Sequence, residues 1–240
     1  MRVVSWFSCG AASAVATVLA AVQYGDIDAV YCRVREEHED NLRFIDDFTK
    51  ATGIPIKIIM DEQSNGSIYN IFLKRKYIKN KYGAPCTMIL KRDMRKAYQR
   101  PDDIQILGYT ADEQDRADRF IDANNEVNED FILLTNGVTK QDCYRLIRDT
   151  LGIELPIMYQ LGYQNNNCVG CVKGGMGYWN KIRVDFPEAF NKMARLERTI
   201  GHSICKDDKG SVYLDDLAPS RGRFKTDSPG DCGFTCEVTS

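Results

Sequence analysis

Short apolar segments alternate with amphipathic segments along the first two-thirds of the chain. Residues 28–34 form a compact apolar run, whereas residues 37–52 place Leu42, Ile45 and Phe48 at helical spacing. The predicted strands are 2–7, 28–34, 54–60, 104–109 and 131–135. The predicted helices are 14–24, 37–52, 68–79, 86–98, 113–123 and 139–151. Because this alternation is typical of a parallel sheet covered on both faces, we expect an α/β fold with a Rossmann-like sheet flanked by helices.

The pattern changes near Pro156, where the β–α alternation ends and Cys, Gly, Tyr and Trp become frequent. We therefore expect residues 1–155 to form the α/β domain that binds a ligand. Residues 156–240 are predicted to form a cysteine-rich C-terminal subregion. We expect this subregion to pack over the edge of the sheet and not to fold independently.

The overall charge and hydropathy exclude two classes of protein. The chain has 32 Lys and Arg against 34 Asp and Glu, so a strongly basic nucleic-acid binder is not indicated, although a local basic patch stays compatible with this balance. No apolar run reaches the roughly 18 residues that a membrane span needs. The first 22 residues resemble a signal peptide only superficially, because Ser, Cys and Gly interrupt them and no cleavage pattern follows. We expect a cytoplasmic protein.

Cysteine is the unusual residue type, with nine Cys against two His. An odd count in a chain of this length disfavours a disulfide scaffold. Cys168 and Cys171 form a C-x₂-C pair, and Cys232 and Cys236 form a second close pair. Together with Cys86, these pairs predict a thiolate site for zinc or for an iron–sulfur cluster.

Three further cysteines have simpler interpretations. Cys32 and Cys143 lie inside apolar strand and helix patterns, and we expect them to be small core residues. Cys205 lies in a polar turn, where the sequence leaves its role open.

A loop of small residues, Ser8–Ser13, joins the first predicted strand to the first helix. In a parallel α/β sheet, ligands bind beyond the carboxyl ends of the strands, and a helix N-terminus there offers unpaired amides to phosphate. The hydroxyls of Ser8 and Ser13 are expected to add donors. Tight packing alone also explains such a turn, so the loop is an equivocal signal by itself.

Basic residues after two predicted elements are candidate anion ligands. Lys91 and Arg95 share a face of their helix, where they either contact phosphate or sulfate or form a solvated face. Arg116 follows the carboxyl end of a strand, which favours an anion-binding role. Asp112 and Glu113 either hold Mg²⁺ or orient Arg116.

The order of these motifs along the chain resembles the phosphoadenosine phosphosulfate (PAPS) reductase family of the adenine nucleotide α-hydrolase, or PP-loop, superfamily. The C-terminal motifs resemble those of members carried by phages and mobile elements. The matching segments are Phe7–Ser13, Glu37–Phe44, Pro85–Arg92, Gly108–Arg116, Leu155–Tyr163, Cys168–Cys171, Lys173–Trp179 and Cys232–Gly233.

The resemblance implies an adenine nucleotide, either ATP or a PAPS-type nucleotide with Mg²⁺, and a [4Fe–4S] cluster, with zinc as the alternative metal. The nucleotide ligands that it implies are Ser8, Cys9, Gly10, Ala11, Ser13, Lys91 and Arg116. The expected metal ligands are Cys86, Cys168, Cys171 and Cys236. Cys232 is the expected nucleophile, because Cys232–Gly233 resembles the reactive element of the reductases.

The loop and the tail depart from the family pattern. Cys9 stands where the family loop has its first Gly, and Ala12 stands where ATP-cleaving members carry Asp. Loss of this carboxylate weakens the case for ATP cleavage without excluding it, since the group would help to organise Mg²⁺. Cys232–Gly233 lacks the customary Ile/Leu–His ending, which counts against reduction of PAPS itself.

These observations favour an enzyme of nucleotide-dependent sulfur chemistry. Either ATP adenylates an oxygen of a substrate and sulfur displaces AMP, or a Cys thiolate attacks an activated sulfate. The alternative is a non-catalytic nucleotide-binding module with a zinc site formed by Cys168, Cys171, Cys232 and Cys236, acting through a protein partner. The sulfur donor, the acceptor (a nucleobase or nucleic acid among others) and a homodimeric state stay open.

Overall fold

The computed structural model describes residues 1–80, 83–230 and 232, and these form two compact units. The sheet unit consists of Met1–Arg33, Glu39–Ile59 and Arg95–Gln160. The cysteine unit consists of the described residues of Val34–His38, Met60–Met94 and Leu161–Ser240. Each unit therefore draws on separate stretches of the chain. Within the described ranges, no helix has the length and apolar character needed to cross a membrane.

A five-stranded sheet with the strand order β3-β2-β1-β4-β5 forms the centre of the sheet unit, and every pairing is parallel. The strands are β1 (Val3–Trp6), β2 (Asp28–Cys32), β3 (Ile56–Ile59), β4 (Ile104–Ile106) and β5 (Asn128–Asp130). All four residues of β1 are buried, as a central parallel strand with both faces covered requires. In register, Val4 lies between Asp28 and Gln105. The predicted parallel α/β fold is confirmed.

Helices cover this sheet and close its core. They are α1 (Ala11–Tyr24), α2 (Asp40–Thr52), α6 (Gln114–Ala123), α7 (Ile132–Thr135), α8 (Lys140–Arg145) and α9 (Ile157–Gln160), with a 3₁₀ turn at Ala111–Glu113 and a π-helical turn at Leu146–Thr150. The rings of Phe44 and Phe48 on α2 pack against Phe7, with centroid separations of 6.0 and 4.9 Å. Phe7 therefore anchors the start of the loop that leads from β1 to α1.

The last predicted strand is wrong. Residues 131–135 were expected to be a strand, but Ile132–Thr135 is helical and the edge strand is the polar segment Asn128–Asp130. A short apolar run does not by itself distinguish a strand from a buried helical turn. Here Ile132 and Leu133 are buried in the core that also contains α1, and this packing decides the conformation.

The cysteine unit is built from short helices and one hairpin. Its helices are α3 (Ile68–Arg75), α4 (Pro85–Thr87), α10 (Met176–Asp185), α11 (Pro187–Ile200) and α12 (Phe224–Asp227), and its hairpin pairs β6 (Cys205–Asp207) with β7 (Gly210–Val212). The helix predicted over 68–79 ends at Arg75, because Lys76 adopts a left-handed conformation with φ of 56°.

The helix predicted over 86–98 is composite. After α4, Met88–Asp93 forms a π-helical turn, and α5 (Met94–Tyr98) continues the chain in α-helical form. The π-helical turn contains Lys91. Such turns are rare and frequently occur at functional sites, because they change the direction of a few side chains within a helix.

Candidate functional site

The loop Ser8–Ser13 connects the end of β1 to the first turn of α1. Gly10 is the N-cap in extended conformation, and its carbonyl accepts the first helical hydrogen bond from Ala14 at 3.1 Å. The first amides of a helix have no partner within the helix, so this turn presents donors at the carboxyl end of a central strand. The predicted strand–loop–helix placement is confirmed.

Cys9 explains how the loop tolerates its departure from the family pattern. Its backbone has a φ of 57°, in the left-handed region that favours glycine, and its side chain is fully buried. The backbone thus keeps a glycine-like conformation although the residue is cysteine. A non-glycine residue in this region costs about 1–2 kcal/mol, which the packed surroundings must offset.

Gly108, at the end of β4, permits the loop to lie close to the neighbouring strand. A Cβ atom at Gly108 would lie 2.7 Å from both the Cα and the amide nitrogen of Ser13, and 3.0 Å from the carbonyl carbon of Ala12. All three are backbone atoms that no side-chain rotation can move. Gly10 is less constrained, because its nearest atom would be the Tyr159 hydroxyl oxygen at 3.3 Å.

The two loop hydroxyls hold the loop itself. Ser13 Oγ donates to the Gly10 carbonyl and accepts from the amide and hydroxyl of Ser8, each at 3.0 Å. The Ser8 and Ser13 hydroxyls, which the sequence suggested as donors to phosphate, therefore donate within the loop. The loop amides are therefore the better candidates for anion contact.

A tyrosine hydroxyl is hydrogen-bonded to one of these loop amides. Tyr159, on α9, accepts a hydrogen bond of 3.3 Å from the Ala11 N–H. Its ring packs edge-on against Tyr144, with centroids 5.2 Å apart. The α9 segment is anchored by Asp40, which accepts the Ile157 N–H at 2.8 Å. The Tyr159 oxygen therefore occupies the position from which a phosphate oxygen would accept a hydrogen bond from the Ala11 N–H.

Arg116 is held in a fixed orientation near the end of β4. Its guanidinium donates to Glu113 at 2.6 Å and lies 4.3 Å from the ring centroid of Tyr109. The other Glu113 oxygen accepts from the amide and hydroxyl of Thr110 at 3.0 and 3.1 Å, which caps the following turn. Glu113 thus contacts Arg116 directly, which is the geometry that the orienting role requires.

In the cysteine unit, the acidic segment Val34–His38 joins several elements. Glu37 and Lys91 form a buried ion pair at 2.8 Å, with both side chains less than a tenth exposed. Glu36 accepts from the Ser67 hydroxyl at 2.8 Å and from the Ile68 amide at 2.9 Å, which caps α3. Its carbonyl accepts the Val169 amide at 2.8 Å, inside the C-x₂-C turn. Lys91 is therefore fixed beside the cysteines and is not on a solvated helix face.

Four cysteines from three distant parts of the sequence come together in this unit. The charges of Cys86, Cys171 and Cys232 all act on the Cys168 thiol, and the charge of Cys232 also acts on Cys171. Cys232 Sγ lies 3.6 Å from the hydroxyl of Thr87, the residue next to Cys86. The structure thus brings together Cys86, Cys168, Cys171 and Cys232, although more than 140 residues separate the first from the last.

Burial raises the pKa of both thiols of the C-x₂-C pair, which makes them poor thiolates when no cation is present. Burial raises the pKa of Cys171 to about 12, and the nearby charge of Cys232 adds to this effect. The pKa of Cys168 is also raised well above its ordinary value, first by burial and then by the charges of Glu37 and the neighbouring cysteines. A cation would reverse both effects, because it stabilises the deprotonated form.

The donor chemistry of the four thiols fits a soft metal centre. Among the described residues, however, no group of three or more His, Cys, Asp or Glu side chains is arranged as a metal site. The thiols must therefore draw closer together to ligate a metal. Cys236, the fourth ligand expected from the sequence, lies outside the described residues.

The C-x₂-C turn is supported by the aromatic residues that follow it. The Tyr178 hydroxyl accepts the Cys171 amide at 2.9 Å and donates to the Cys168 carbonyl at 3.3 Å. A Cβ atom at Gly174 would lie 2.1 Å from the Tyr178 ring, so glycine is needed for this approach. Trp179 is fully buried. Both aromatics are core residues.

Asparagine side chains hold the tail segment that contains Cys232. Asn167 accepts the Cys232 amide at 2.9 Å and donates to the Gly230 carbonyl at 3.0 Å. Asn165 donates to the Pro229 carbonyl at 3.0 Å. The structure thus ties this segment to residues that flank the C-x₂-C pair.

The other cysteines and Arg95 have structural positions. Cys32 and Cys143 are buried in the sheet unit, as predicted, and Cys205 is buried in β6. None of the eight cysteines that the structure describes forms a disulfide.

Arg95 is fully buried and donates to Asn124 at 2.6 Å. Neither the anion-contact nor the solvated-face interpretation of Arg95 describes this position.

Sequence reasoning missed three residues of the site. Tyr159 and Asn167 are polar residues in motifs whose partners lie far away in the chain, so the sequence held no signal of what they would contact. Gly108 was recognised only as a strand end. Its close approach to the loop depends on the pairing of β1 with β4, which local patterns do not report.

Comparison with known proteins bears on the family of the chain. No curated protein matches the chain. The family model described as the phosphoadenosine phosphosulfate reductase domain matches residues 2–174, which include the loop, Lys91, Arg116 and the C-x₂-C pair. The match covers well over half of the chain, and the chain therefore belongs to the phosphoadenosine phosphosulfate reductase domain family, within the adenine nucleotide α-hydrolase superfamily.

Proposed function

We propose that this protein is an enzyme that binds an adenine nucleotide at the Ser8–Ser13 loop and transfers sulfur with the help of a metal centre held by cysteines. The observation that carries the proposal is the convergence of four cysteines, of which Cys168 and Cys171 are buried, in a member of this family. Binding, activation and sulfur handling would then rest on different residues. None of the described cysteines is in a disulfide, which supports action in a reducing compartment such as the cytoplasm.

The nucleotide phosphates are proposed to bind at the amides of Gly10, Ala11 and Ser13, with Ser8 and Cys9 maintaining the loop conformation. Arg116 would place its guanidinium against phosphate charge, since Glu113 and Tyr109 hold it in position. Lys91 lies in the cysteine unit, where its ammonium forms a buried ion pair with Glu37 at 2.8 Å.

We propose Cys86, Cys168, Cys171 and Cys232 as the metal ligands. Cys232 replaces Cys236 in this set because its charge acts on both cysteines of the C-x₂-C pair. An iron–sulfur cluster held by these four thiolates would supply electron-transfer chemistry, whereas zinc would supply a structural link only. Asn167 and Tyr178 would keep the tail and the C-x₂-C turn in place for it.

This ligand set favours sulfur transfer over reduction of an activated sulfate. In sulfur transfer, an oxygen of the acceptor attacks the α-phosphorus of ATP, and pyrophosphate leaves with the electron pair of the broken P–O bond. A hydrosulfide-class donor then forms the new C–S bond, and AMP leaves with the original oxygen. Mg²⁺ would neutralise the triphosphate. Reduction would instead require Cys232 as a free nucleophile, and it is the second candidate.

Substitution of Gly10 by Val is expected to abolish measurable nucleotide binding. The branched side chain would fill the space between the loop amides and the ligand, where even a single Cβ would lie 3.3 Å from Tyr159. Calorimetric titration with ATP, AMP and PAPS measures the effect. The control is Ala51→Val, which adds the same atoms at an exposed position of α2. Equal affinity of the Gly10 variant and the control would contradict the site.

Substitution of Tyr159 by Phe is expected to tighten nucleotide binding by about threefold to tenfold. The tyrosine oxygen and a phosphate oxygen compete for the Ala11 N–H, and release of one neutral hydrogen bond corresponds to about 0.5–1.5 kcal/mol. The same titration measures the change, with Tyr144→Phe as control because its ring packs against Tyr159. Weaker binding by the variant would show that the hydroxyl is a phosphate ligand.

A further inference from the structure

The tail segment, residues 222–230 and Cys232, contacts the start of α10 through Asp227. The first amides of a helix have no acceptor within the helix. The carboxylate oxygen Oδ2 of Asp227 accepts the Gly177 N–H of α10 at 2.7 Å and the Arg223 N–H at 2.9 Å. The Asp227 carbonyl accepts the Gly175 N–H at 2.8 Å. Because the helix dipole also favours a negative charge at this end, Asp227 joins the starts of α10 and α12.

Three glycines make room for this contact. A Cβ atom at Gly175 would lie 3.0 Å from the Cβ atom of Asp227, and one at Gly177 would overlap the backbone of Arg223. A Cβ atom at Gly222 would overlap the Gly177 amide nitrogen and the Asp227 carboxylate. Gly222 also has a φ of 81°, in the left-handed region that favours glycine. Because larger residues at these positions would separate the tail segment from α10, the local sequence fits the docked arrangement.

Both chain segments that Asp227 joins lead directly to cysteines. Gly175 follows Cys171 by four positions, and Cys232 follows Asp227 by five. At the far end of the tail segment, Asn167, the residue before the C-x₂-C pair, accepts the Cys232 N–H at 2.9 Å. Five residues span at most about 18 Å when fully extended. The contact at Asp227 therefore limits how far the Cys232 thiol can move away from the C-x₂-C pair.

We propose that Asp227 is a positioning residue, which holds Cys232 beside the C-x₂-C pair before a metal binds. The role of Cys232 as a metal ligand rests on the proposed function, whereas the docking of the tail segment does not. A ligand that is already held in place loses less conformational freedom on binding, so pre-organisation strengthens metal capture. It also keeps a detached thiolate close enough to bind again. Asp227 itself contributes no ligand and acts through Cys232.

The first measurement is the rate of iodoacetamide labelling of Cys232 in the reduced, metal-free protein, read by peptide mass spectrometry. Asp227→Ala should label at least about tenfold faster, because it removes charge-assisted hydrogen bonds and raises the population with a detached tail. Asp227→Asn keeps an acceptor oxygen and should label only about twofold to fivefold faster, since it loses the charge at the helix N-terminus. The matched control is Glu188→Ala, which removes an exposed carboxylate from the first turn of α11 and should leave the rate unchanged. Equal rates in Asp227→Ala and the control would overturn the proposal.

The second measurement is the release of metal to a ferrous chelator from the loaded protein. It compares Asp227→Ala, Cys232→Ser and the double variant. If Asp227 acts only through Cys232, the double variant retains and releases metal as Cys232→Ser alone does. Additive effects would show that Asp227 only stabilises α10, and they would overturn the positioning role. Normal metal uptake with unchanged labelling in Asp227→Ala removes only this inference, whereas absent metal uptake by the unsubstituted protein removes the proposed function and leaves the labelling rates to decide the docking.

Discussion

Replacement of Cys86 by Ser is expected to reduce the iron content from about four atoms per chain to less than one. Cys86 is the proposed ligand farthest in sequence from the C-x₂-C pair. Its substitution leaves only three of the four thiolate ligands. Binding that is saturated a hundredfold above its Kd contributes about 2.7 kcal/mol to the free energy of unfolding. The thermal midpoint should therefore fall by about 5–11 °C for a chain of this size. Metal analysis, visible absorption and thermal melting of anaerobically prepared protein measure these changes.

The control for this experiment is Cys143→Ser. Cys143 is fully buried in the core of the sheet unit and is not one of the four proposed ligands, so its substitution should lower stability and leave the iron content unchanged. Full metal occupancy in Cys86→Ser would instead favour the zinc set that includes Cys236. Iodoacetamide labelling of the loaded protein tests Cys232. A metal ligand should be protected until the metal is chelated, whereas rapid labelling that responds to nucleotide would restore the nucleophile hypothesis.

Replacement of Gly108 by Ala is expected to weaken nucleotide binding by more than tenfold and to lower the free energy of unfolding by about 1–3 kcal/mol. The added Cβ would lie 2.7 Å from the backbone of Ser13, so the strand end and the loop must separate. That movement displaces the amides that are proposed to bind phosphate. Titration with ATP and chemical denaturation measure the two effects.

The matched control is Gly230→Ala, because a Cβ at Gly230 would have no heavy atom within 4 Å. This variant should keep its nucleotide affinity and change stability by less than about 0.5 kcal/mol. If Gly108→Ala behaves like the control, the close approach of β4 to the loop has no role in binding.

Much of the fold could be predicted because its signals are local. The apolar run of β2 and the helical spacing in α2 each identify their element from adjacent residues alone. The sequence was less informative where two structures bury the same residues equally well. Residues 131–135 show this, since the packing of Ile132 and Leu133 in the core determines the helix.

The residues of the candidate site also differ in how well the sequence could predict them. The Ser8–Ser13 loop, Arg116 and the C-x₂-C pair could be recognised because their motifs are continuous. The contacts of Tyr159 with Ala11 and of Asn167 with Cys232 join residues 148 and 65 positions apart. A side chain's partner over such distances depends on the path of the whole chain, and no single segment reports it.

The sequence by itself determined the class of fold and the family, because these depend on short patterns of hydrophobicity, small residues and thiols. It also predicted which residues bind phosphate or metal. The tertiary structure alone decided how those residues are used. It assigned the hydroxyl of Ser13 to the loop, Lys91 to Glu37, and Cys232 to the neighbourhood of Cys168. The physical reason is that hydrogen bonds and charge interactions act over a few ångströms, and only the folded backbone brings distant residues within that range.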